Sequence, residues 1–293
     1  MTGIFTGVIT ALITPFKDGR VNFNTLGELI DYQIESGTDA LVILGTTGEP
    51  STMTEDEREQ TIRYSVERAA GKIKIIVGVG SNNTLKAVTW AQAAERLGAD
   101  GVIAVTPYYN KCTQKGIFEY YNCICSATKL PVIAYNVPSR TGVNITPETA
   151  ERLTTLKNLA GIKEASGNMA QVCESMRRVR GKIDIFSGED ALNLPILAIG
   201  GAGLISVVSN VAPKQVKDVY RLVKSGDFER ANKLQDSLLP LIDALFCEVN
   251  PIPVKAALSM LGFDAGIPRP PLTELEDGHK VKLFNELKKV VKF

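Results

Sequence analysis

The run LAGIKEASGN, residues 159–168, has the composition of a buried strand, yet it contains a lysine at position 163. Its first residues are apolar at both odd and even positions, as expected for a strand that is covered on both faces. Strands of this kind build parallel sheets with helices on each side. The run therefore indicates an α/β protein, and it raises the question of why an ammonium group lies inside it.

Seven further runs rich in Val and Ile alternate with amphipathic segments along the chain. The eight runs begin at Gly7, Ala40, Lys74, Gly101, Pro131, Leu159, Ile183 and Gly203. Eight strand–helix units are typical of a (β/α)8 TIM barrel. A doubly wound sheet also alternates, but no G-x-G-x-x-G motif opens a helix after the first strand. We predict the barrel over residues 1–226 and a C-terminal helical region over 227–293.

Capping residues predict where several helices begin and end. Thr54, with Glu57 three residues later, forms a capping box ahead of one amphipathic segment. Thr146 followed by Pro147 gives an N-cap and a first helical proline. Gly98 stands at the end of the segment TLKAVTWAQAAERLGA, where a glycine terminates a helix.

The bulk composition excludes several classes of protein. The 33 Lys and Arg residues nearly balance the 32 Asp and Glu residues, so no basic surface for nucleic acid or acidic lipid is expected. No apolar run approaches the roughly 18 residues that span a bilayer. The start of the chain lacks the basic and apolar regions of a signal peptide. We expect a soluble, cytoplasmic protein that binds neither nucleic acid nor membrane.

The cysteines and the histidine argue against metal and disulfide chemistry. Five cysteines are an odd number, and the pair at positions 123 and 125 is too close for a zinc knuckle. We interpret them as reduced thiols that fill apolar space. The only histidine, His279, lies in a polar segment, which disfavours a His-based metal site or a Ser/His/Asp triad. We expect neither a metal nor a cofactor.

The active sites of (β/α)8 barrels lie at the carboxyl ends of the strands. Those ends carry the following polar side chains: Thr46, Thr47, Tyr108, Tyr109, Tyr135, Arg140 and Lys163. A buried, unpaired ammonium group is costly, and a lysine that loses its proton is a nucleophile able to form a Schiff base. The alternative is a lysine held by a core carboxylate, although Glu164 should point to the opposite face of the strand. The residues alone leave both interpretations open.

The other strand-end residues also have ordinary interpretations. Tyr135 and Tyr109 are also compatible with a role as aromatic residues of the core, where a buried hydroxyl would need a hydrogen-bond partner. Thr46 and Thr47 fit a simple turn. Arg140 fits a surface loop, although an arginine fork at a strand end is also suited to gripping a carboxylate.

Five segments occur together in an order and spacing that resemble a known superfamily: GTTGEPSTMT, VTPYYNK, YNVPSRTG, GIKEASGN and NPIPVK. The resemblance, over residues 7–262, is to the class I, lysine-dependent pyruvate aldolases of the N-acetylneuraminate lyase superfamily. The paired Thr46-Thr47 and the segment SRTG resemble the branch that condenses pyruvate with L-aspartate-4-semialdehyde. That reaction gives 4-hydroxy-tetrahydrodipicolinate, the committed step of lysine and diaminopimelate biosynthesis.

The resemblance implies a role for each matching residue. Lys163 is expected to form the Schiff base, with Tyr135, Thr46 and Tyr109 as the proton relay. Tyr109 is expected to reach into the site of a neighbouring subunit of a homotetramer, a dimer of dimers. The expected substrate-binding residues are Thr47, Arg140, Gly188 and Ile205. No metal or organic cofactor is implied.

One region departs from relatives that L-lysine inhibits between subunits. Those relatives typically carry a histidine where this chain has Glu55 and a carboxylate where it has Lys86, while Asn82 and Tyr108 are retained. Lys86 would repel the ammonium of the ligand, so we expect weak or absent inhibition. Two other functions remain as alternatives: an aldolase of 2-keto-3-deoxy sugar acids or N-acetylneuraminate, and a non-catalytic relative that binds a keto acid.

Overall fold

The computed structural model describes residues 3–292, which form ten strands, twelve α-helices and four short 3-10 helices. The strands are β1 Gly7–Ala11, β2 Phe16–Lys17, β3 Arg20–Val21, β4 Ala40–Ile43, β5 Lys74–Gly78, β6 Gly101–Val105, β7 Val132–Asn136, β8 Leu159–Glu164, β9 Asp184–Ser187 and β10 Gly203–Ser206. The helices are α1 Phe23–Glu35, α2 Glu55–Ala69, α3 Thr84–Arg96, α4 Gln114–Ala127, α5 Pro138–Thr141, α6 Pro147–Leu153, α7 Met169–Val179, α8 Asn193–Ala198, α9 Pro213–Ser225, α10 Phe228–Leu245, α11 Ile252–Met260 and α12 Asp277–Val290.

Eight of the strands form a closed parallel barrel in the order β1, β10, β9, β8, β7, β6, β5, β4. All eight correspond to the predicted runs, so the (β/α)8 fold class is confirmed. The first apolar run, GVITALITPF, extends from Gly7 to Phe16 and predicts one strand, but β1 ends at Ala11. Its last residue, Phe16, instead begins a two-stranded antiparallel hairpin, β2–β3.

The predicted helix caps are confirmed. The hydroxyl of Thr54 accepts from the backbone amide of Glu57, and the Glu57 carboxylate accepts in return from the amide of Thr54. Thr146 caps α6, which begins at Pro147. Gly98 follows the end of α3 with a φ of +82°, a conformation that glycine adopts without steric cost.

Two apolar layers hold the barrel together. One lies between the strands and the surrounding helices, where it buries the outward-facing residues of each strand. The other fills the barrel itself and comprises Phe5, Ile9, Ala11, Ala40, Val42, Ile76, Ile103, Ile133, Phe186 and Ile205. The ring of Phe5 lies against Gly101, the first residue of β6, so it closes the amino-terminal end of the barrel. The opposite end is therefore the accessible one.

Three helices follow the barrel, and α10 packs against both α9 and α12. The division into residues 1–226 and 227–293 stays a prediction, and residues 1–2 and 293 at its ends lie outside the described residues. No helix within 3–292 combines the length and apolarity needed to cross a bilayer.

All five cysteines, which fall in this range, are free thiols, but Cys123 and Cys173 are exposed. The interpretation as apolar fillers is wrong for these two.

Candidate active site

Lys163 lies inside the barrel near its open end. In the strand register, Lys163 on β8 lies opposite Tyr135 on β7 and Phe186 on β9, and it is only 6% exposed. The Nζ atom stands 4.2 Å from the centre of the Tyr135 ring, on which a cation or an amine can pack. No carboxylate within residues 3–292 pairs with Lys163 at ion-pair distance. The structure therefore disfavours the interpretation of Lys163 as a lysine held by a core acid.

Glu164, the next residue, points the opposite way, as the alternation of a strand requires. Its two carboxylate oxygens each accept from Asn136 Nδ2 at 3.1 Å, and one accepts from the amide of Ser166 at 2.8 Å. Burial outweighs these hydrogen bonds and raises the pKa of Glu164. The Glu164 carboxylate is thus hydrogen-bonded on the outer face of the sheet, away from the Lys163 amine.

Gly188 leaves room for the lysine. A Cβ at this position would stand 2.9 Å from Lys163 Cγ and 2.9 Å from Ala165 Cβ, closer than real contacts allow. Its amide donates to the carbonyl of Glu164 at 2.8 Å, which fixes the end of β9 against β8. Ile205 on β10 is buried in the apolar layer inside the barrel. Both predicted lining residues therefore belong to the barrel interior.

The two threonines of GTTGE lie in a short 3-10 turn, Thr46–Gly48, after β4. Thr46 is half-buried, whereas Thr47 is buried and its hydroxyl accepts from Asn250 Nδ2 at 2.9 Å. The hydroxyl of Thr14 donates to the carbonyl of Gly48 at 2.7 Å. The turn is therefore tied both to the first barrel segment and to the chain just before α11.

Arg140 is on α5, directly after β7, and its side chain is largely exposed. Nη2 donates to the main-chain carbonyl of Asn250 at 3.3 Å, and no carboxylate within the described chain pairs with the guanidinium. The fork is thus oriented by a neutral group. Its remaining donors are available to an anion from outside the chain.

The two predicted relay tyrosines lie in different settings. Tyr135 is half-buried and packs beside the apolar residues inside the barrel. Tyr109 is 91% exposed and adopts a φ of +70°, which is strained for a residue with a side chain. No hydrogen bond within residues 3–292 joins Tyr109 to Tyr135 or Thr46. A single chain therefore brings Lys163, Tyr135 and Gly188 together, but not Tyr109.

Comparison with known proteins agrees with this geometry. Residues 4–290 match the model of the dihydrodipicolinate synthetase family. The chain belongs to that family. The 4-hydroxy-tetrahydrodipicolinate synthase of Alkaliphilus oremlandii is 52% identical over 286 residues, 98% of this chain and 99% of the relative. The enzyme of the same name from Lachnoclostridium phytofermentans is 50% identical over 98% of both chains. A crystal structure of dihydrodipicolinate synthase from Thermotoga maritima is 45% identical with a TM-score of 0.96, covering 98% of this chain and 99% of that chain.

Sequence reasoning missed a second buried lysine in this member of the dihydrodipicolinate synthetase family. Lys255 on α11 has no exposed surface, and its Nζ donates to Glu49 Oε1 at 2.8 Å. The other oxygen of Glu49 accepts from the amide of Arg269 at 2.9 Å. Burial lowers the pKa of Lys255, and the Glu49 carboxylate opposes that shift. The lysine in the apolar segment PIPVK was the available signal, but nothing in the sequence named its partner.

The residues of the predicted L-lysine region lie on the rim beside α2 and α3. Glu55 and Lys86 are exposed on these helices, and the carbonyl of Asn82 accepts from Asn110 Nδ2 at 3.0 Å. The missed residue here is Arg58, whose guanidinium stacks 3.9 Å from the centre of the Trp90 ring. Burial lowers the pKa of Arg58 to about 10, against the opposing charges of Glu55 and Tyr108. This rim therefore holds a cation of its own.

One group within residues 3–292 places three metal-ligating side chains within 4.8 Å of one another: Glu248, Glu276 and His279. His279 Nδ1 and Glu248 Oε1 are 2.7 Å apart, and the amide of Glu276 donates to the same oxygen at 3.0 Å. These contacts hold the start of α12 to the segment after α10. Glu248 is thus occupied as a structural acceptor.

Proposed function

We propose that this chain condenses pyruvate with L-aspartate-4-semialdehyde to give 4-hydroxy-tetrahydrodipicolinate, the committed step of lysine and diaminopimelate biosynthesis. Membership of the dihydrodipicolinate synthetase family supports this assignment. The observation that carries the chemistry is the buried amine of Lys163, which lies near the open end of the barrel and has no carboxylate partner among residues 3–292. An amine in that setting is suited to covalent capture of a ketone.

In the first half of the reaction, Lys163 Nζ attacks the ketone carbon of pyruvate and the ketone oxygen leaves as water. The resulting iminium withdraws electrons from the neighbouring methyl group. A methyl proton is lost, and the C–H electron pair forms the carbon–carbon double bond of an enamine. Lys163 thus supplies the electron sink, while the methyl proton and the proton carried away by the leaving water pass through the relay that begins at Tyr135.

In the second half, the enamine carbon attacks the aldehyde carbon of the semialdehyde, and the aldehyde oxygen takes up a proton to become a hydroxyl. The new carbon–carbon bond restores the iminium. The amine of the second substrate then adds to the iminium carbon and displaces Lys163. This last exchange closes a six-membered ring and returns the lysine as a free amine.

The other site residues take roles that suit their chemistry. Tyr135, whose ring lies beside the amine, moves protons together with Thr46 and the Tyr109 of a neighbouring subunit. Thr47 and the backbone amides of its turn bind the pyruvate carboxylate. Arg140 binds the carboxylate of the semialdehyde through its free donors. Gly188 and Ile205 line the cavity beside the reacting lysine.

The proposed assembly is supported by the setting of Tyr109. Its exposure and strained backbone in one chain are consistent with a side chain placed for a neighbouring subunit. A homotetramer built from two tight dimers would supply one such tyrosine to each site. The protein would work in the cytoplasm.

Two alternative functions are not favoured. A sugar-acid aldolase would share Lys163 and Tyr135 but would need a surface for several hydroxyls in place of Arg140. A keto-acid sensor would need no proton relay beside its lysine. The relatives named above are synthases rather than either of these.

Trapping the covalent intermediate tests the proposal. The protein is incubated with pyruvate, reduced with borohydride and digested, and the peptide that carries the pyruvyl adduct is found by mass spectrometry. We expect the adduct on Lys163 alone, and none in Lys163→Ala. Lys255 serves as the internal control because it is also buried but is paired with Glu49. An adduct on another lysine would contradict the mechanism. A coupled assay with the semialdehyde, run beside 2-keto-3-deoxy acids, then tests the substrate.

A further inference from the structure

Asn250 contacts both groups to which the proposed function assigns a substrate carboxylate. Its Nδ2 donates to Thr47 Oγ1 at 2.9 Å, and its main-chain carbonyl accepts from Arg140 Nη2 at 3.3 Å. The residue opens the segment NPIPVK, just before α11, and is only 5% exposed. A single buried residue thus connects the two sides of the site, and no role has been given to it so far.

The contact with Thr47 determines how that hydroxyl is used. A threonine hydroxyl has one hydrogen to donate and two lone pairs to accept with. Because Asn250 Nδ2 donates to Oγ1, the hydroxyl hydrogen is directed elsewhere, and within residues 3–292 it meets no acceptor. The amide of Asn250 therefore leaves Thr47 as a donor, which is the form that a keto-acid carboxylate requires.

The other side-chain atom of Asn250 is unsatisfied. Oδ1 is buried and has no hydrogen-bond donor within the described chain. A buried acceptor without a donor is unfavourable, so a bound molecule that brings a donor to it is favoured. Pyruvate carries acceptors only. The semialdehyde carries an amino group, which can donate.

We propose that Asn250 positions both substrates: Nδ2 keeps the Thr47 hydroxyl pointed at the keto acid, and Oδ1 accepts a hydrogen bond from the amino group of the second substrate. The proposal rests on the proposed function and adds to it a residue that selects for the amino group. Arg140 is held by the main-chain carbonyl of Asn250, so changes to the side chain leave that contact in place.

Two variants separate the two roles. Asn250→Ala removes both the donor and the acceptor, whereas Asn250→Asp removes the donor and keeps an acceptor of the same size. The first readout is the pyruvate concentration that gives half-maximal borohydride trapping. The second is the ratio of the inhibition constant of succinate semialdehyde, which lacks the amino group, to the KM of aspartate semialdehyde. Circular dichroism establishes that each variant is folded.

We expect both variants to need about tenfold more pyruvate for half-maximal trapping, the effect of losing one hydrogen bond to a charged group. The preference for the amino compound should fall about tenfold in Asn250→Ala and be retained in Asn250→Asp. Unchanged trapping in both variants would overturn the role of Nδ2. An equal loss of preference in both variants, or none in Asn250→Ala, would overturn the role of Oδ1.

The two proposals fail in different ways. If the wild-type protein forms no adduct with pyruvate, the proposed function is wrong. If the wild type forms the adduct and the variants match it in both readouts, only the assignment of Asn250 is wrong. Asn250→Asp keeps the size of the side chain, so unchanged trapping in this variant overturns the role of Nδ2 even where Asn250→Ala does not fold.

Discussion

Lys163 and Tyr135 occupy paired positions on neighbouring strands, and the amine of one stands 4.2 Å from the ring centre of the other. The pairing places the amine that we propose as the nucleophile and a phenol at one level of the barrel, so the phenol is close enough to take part in the proton transfers. We therefore predict that Tyr135→Phe lowers turnover by about 10²–10⁴-fold while the pyruvate adduct still forms. A coupled assay beside borohydride trapping checks this.

Tyr121→Phe is the matched control for Tyr135. The Tyr121 hydroxyl donates to the carbonyl of Ala104 and accepts from the amide of Tyr135, so it supports the strands rather than the chemistry. Its loss should lower the free energy of unfolding by about 1–3 kcal/mol and leave turnover per folded molecule nearly unchanged. Equal losses of turnover in the two variants would remove Tyr135 from the relay.

Gly188→Ala should abolish adduct formation. The added methyl group would stand 2.9 Å from Lys163 Cγ, and the neighbouring carbonyl of Glu164 at 3.0 Å leaves no direction in which to move. Gly278→Ala, within α12, meets no atom within 4 Å and should stabilise the helix by up to about 1 kcal/mol. Trapping and thermal denaturation measure both. A Gly188→Ala protein with normal trapping would contradict the close packing described here.

Tyr109 offers a test of subunit sharing. Lys163→Ala and Tyr109→Phe should each have little activity alone. When the two are unfolded together and refolded as a mixture, a mixed dimer carries one site with an intact lysine and an intact tyrosine from the other subunit. We expect the mixture to regain activity well above the sum of the separate proteins. If Tyr109 served its own chain, mixing would restore nothing.

The Glu57–Arg269 pair predicts how stability depends on pH. Hydrogen bonds from Arg269 at 2.5 and 2.8 Å lower the pKa of Glu57 below its ordinary value of 4.5. Because the unfolded chain takes up that proton first, the contribution is present above pH 4.5 and is lost as pH falls through the lowered pKa. The wild type should therefore lose stability more steeply below pH 4.5 than Glu57→Gln.

Denaturant melts at several pH values measure this difference. Glu55→Gln is the control, because Glu55 lies in the same first turn of α2 but makes no ion pair with Arg269. Glutamine at position 57 also keeps the capping box with Thr54. Parallel pH profiles for the wild type and Glu57→Gln would show that the pair contributes nothing in acid.

Inhibition by L-lysine should be weak or absent. Lys86 on α3 and Arg58 stacked on Trp90 place two cations on the rim where a ligand ammonium would have to bind. The coupled assay, run with increasing L-lysine, measures this directly. Half-inhibition at sub-millimolar L-lysine would contradict the prediction, and Lys86→Glu should be inhibited more strongly than the wild type.

The fold was predictable because its signal is local. Each barrel strand is apolar on both faces, and the period of two along LAGIKE separates Lys163 from Glu164 without knowledge of any distant contact. The hairpin β2–β3 was also signalled, since Asp18-Gly19 is a favoured two-residue turn and both residues have positive φ. It was missed because ITPF extends the first apolar run.

The supports of the site were not predictable in the same way. Asn250 meets Thr47 across 203 residues, and Lys255 meets Glu49 across 206. No periodicity of one segment reports which distant segment packs on it. Tyr109 is a different case, because a single chain leaves it exposed and the partner that we propose for it is another subunit.

The Glu49–Lys255 contact also bears on the order in which the protein matures. During synthesis, Lys163 on β8 leaves the ribosome some ninety residues before Lys255 on α11. Until that later helix arrives, Glu49 has no lysine to neutralise it, and of its two ties the threonine turn has only the one to Thr14. A barrel released before α11 would hold Lys163 without a finished binding pocket, so we expect competence for the reaction to be acquired only after α11 has packed against the barrel.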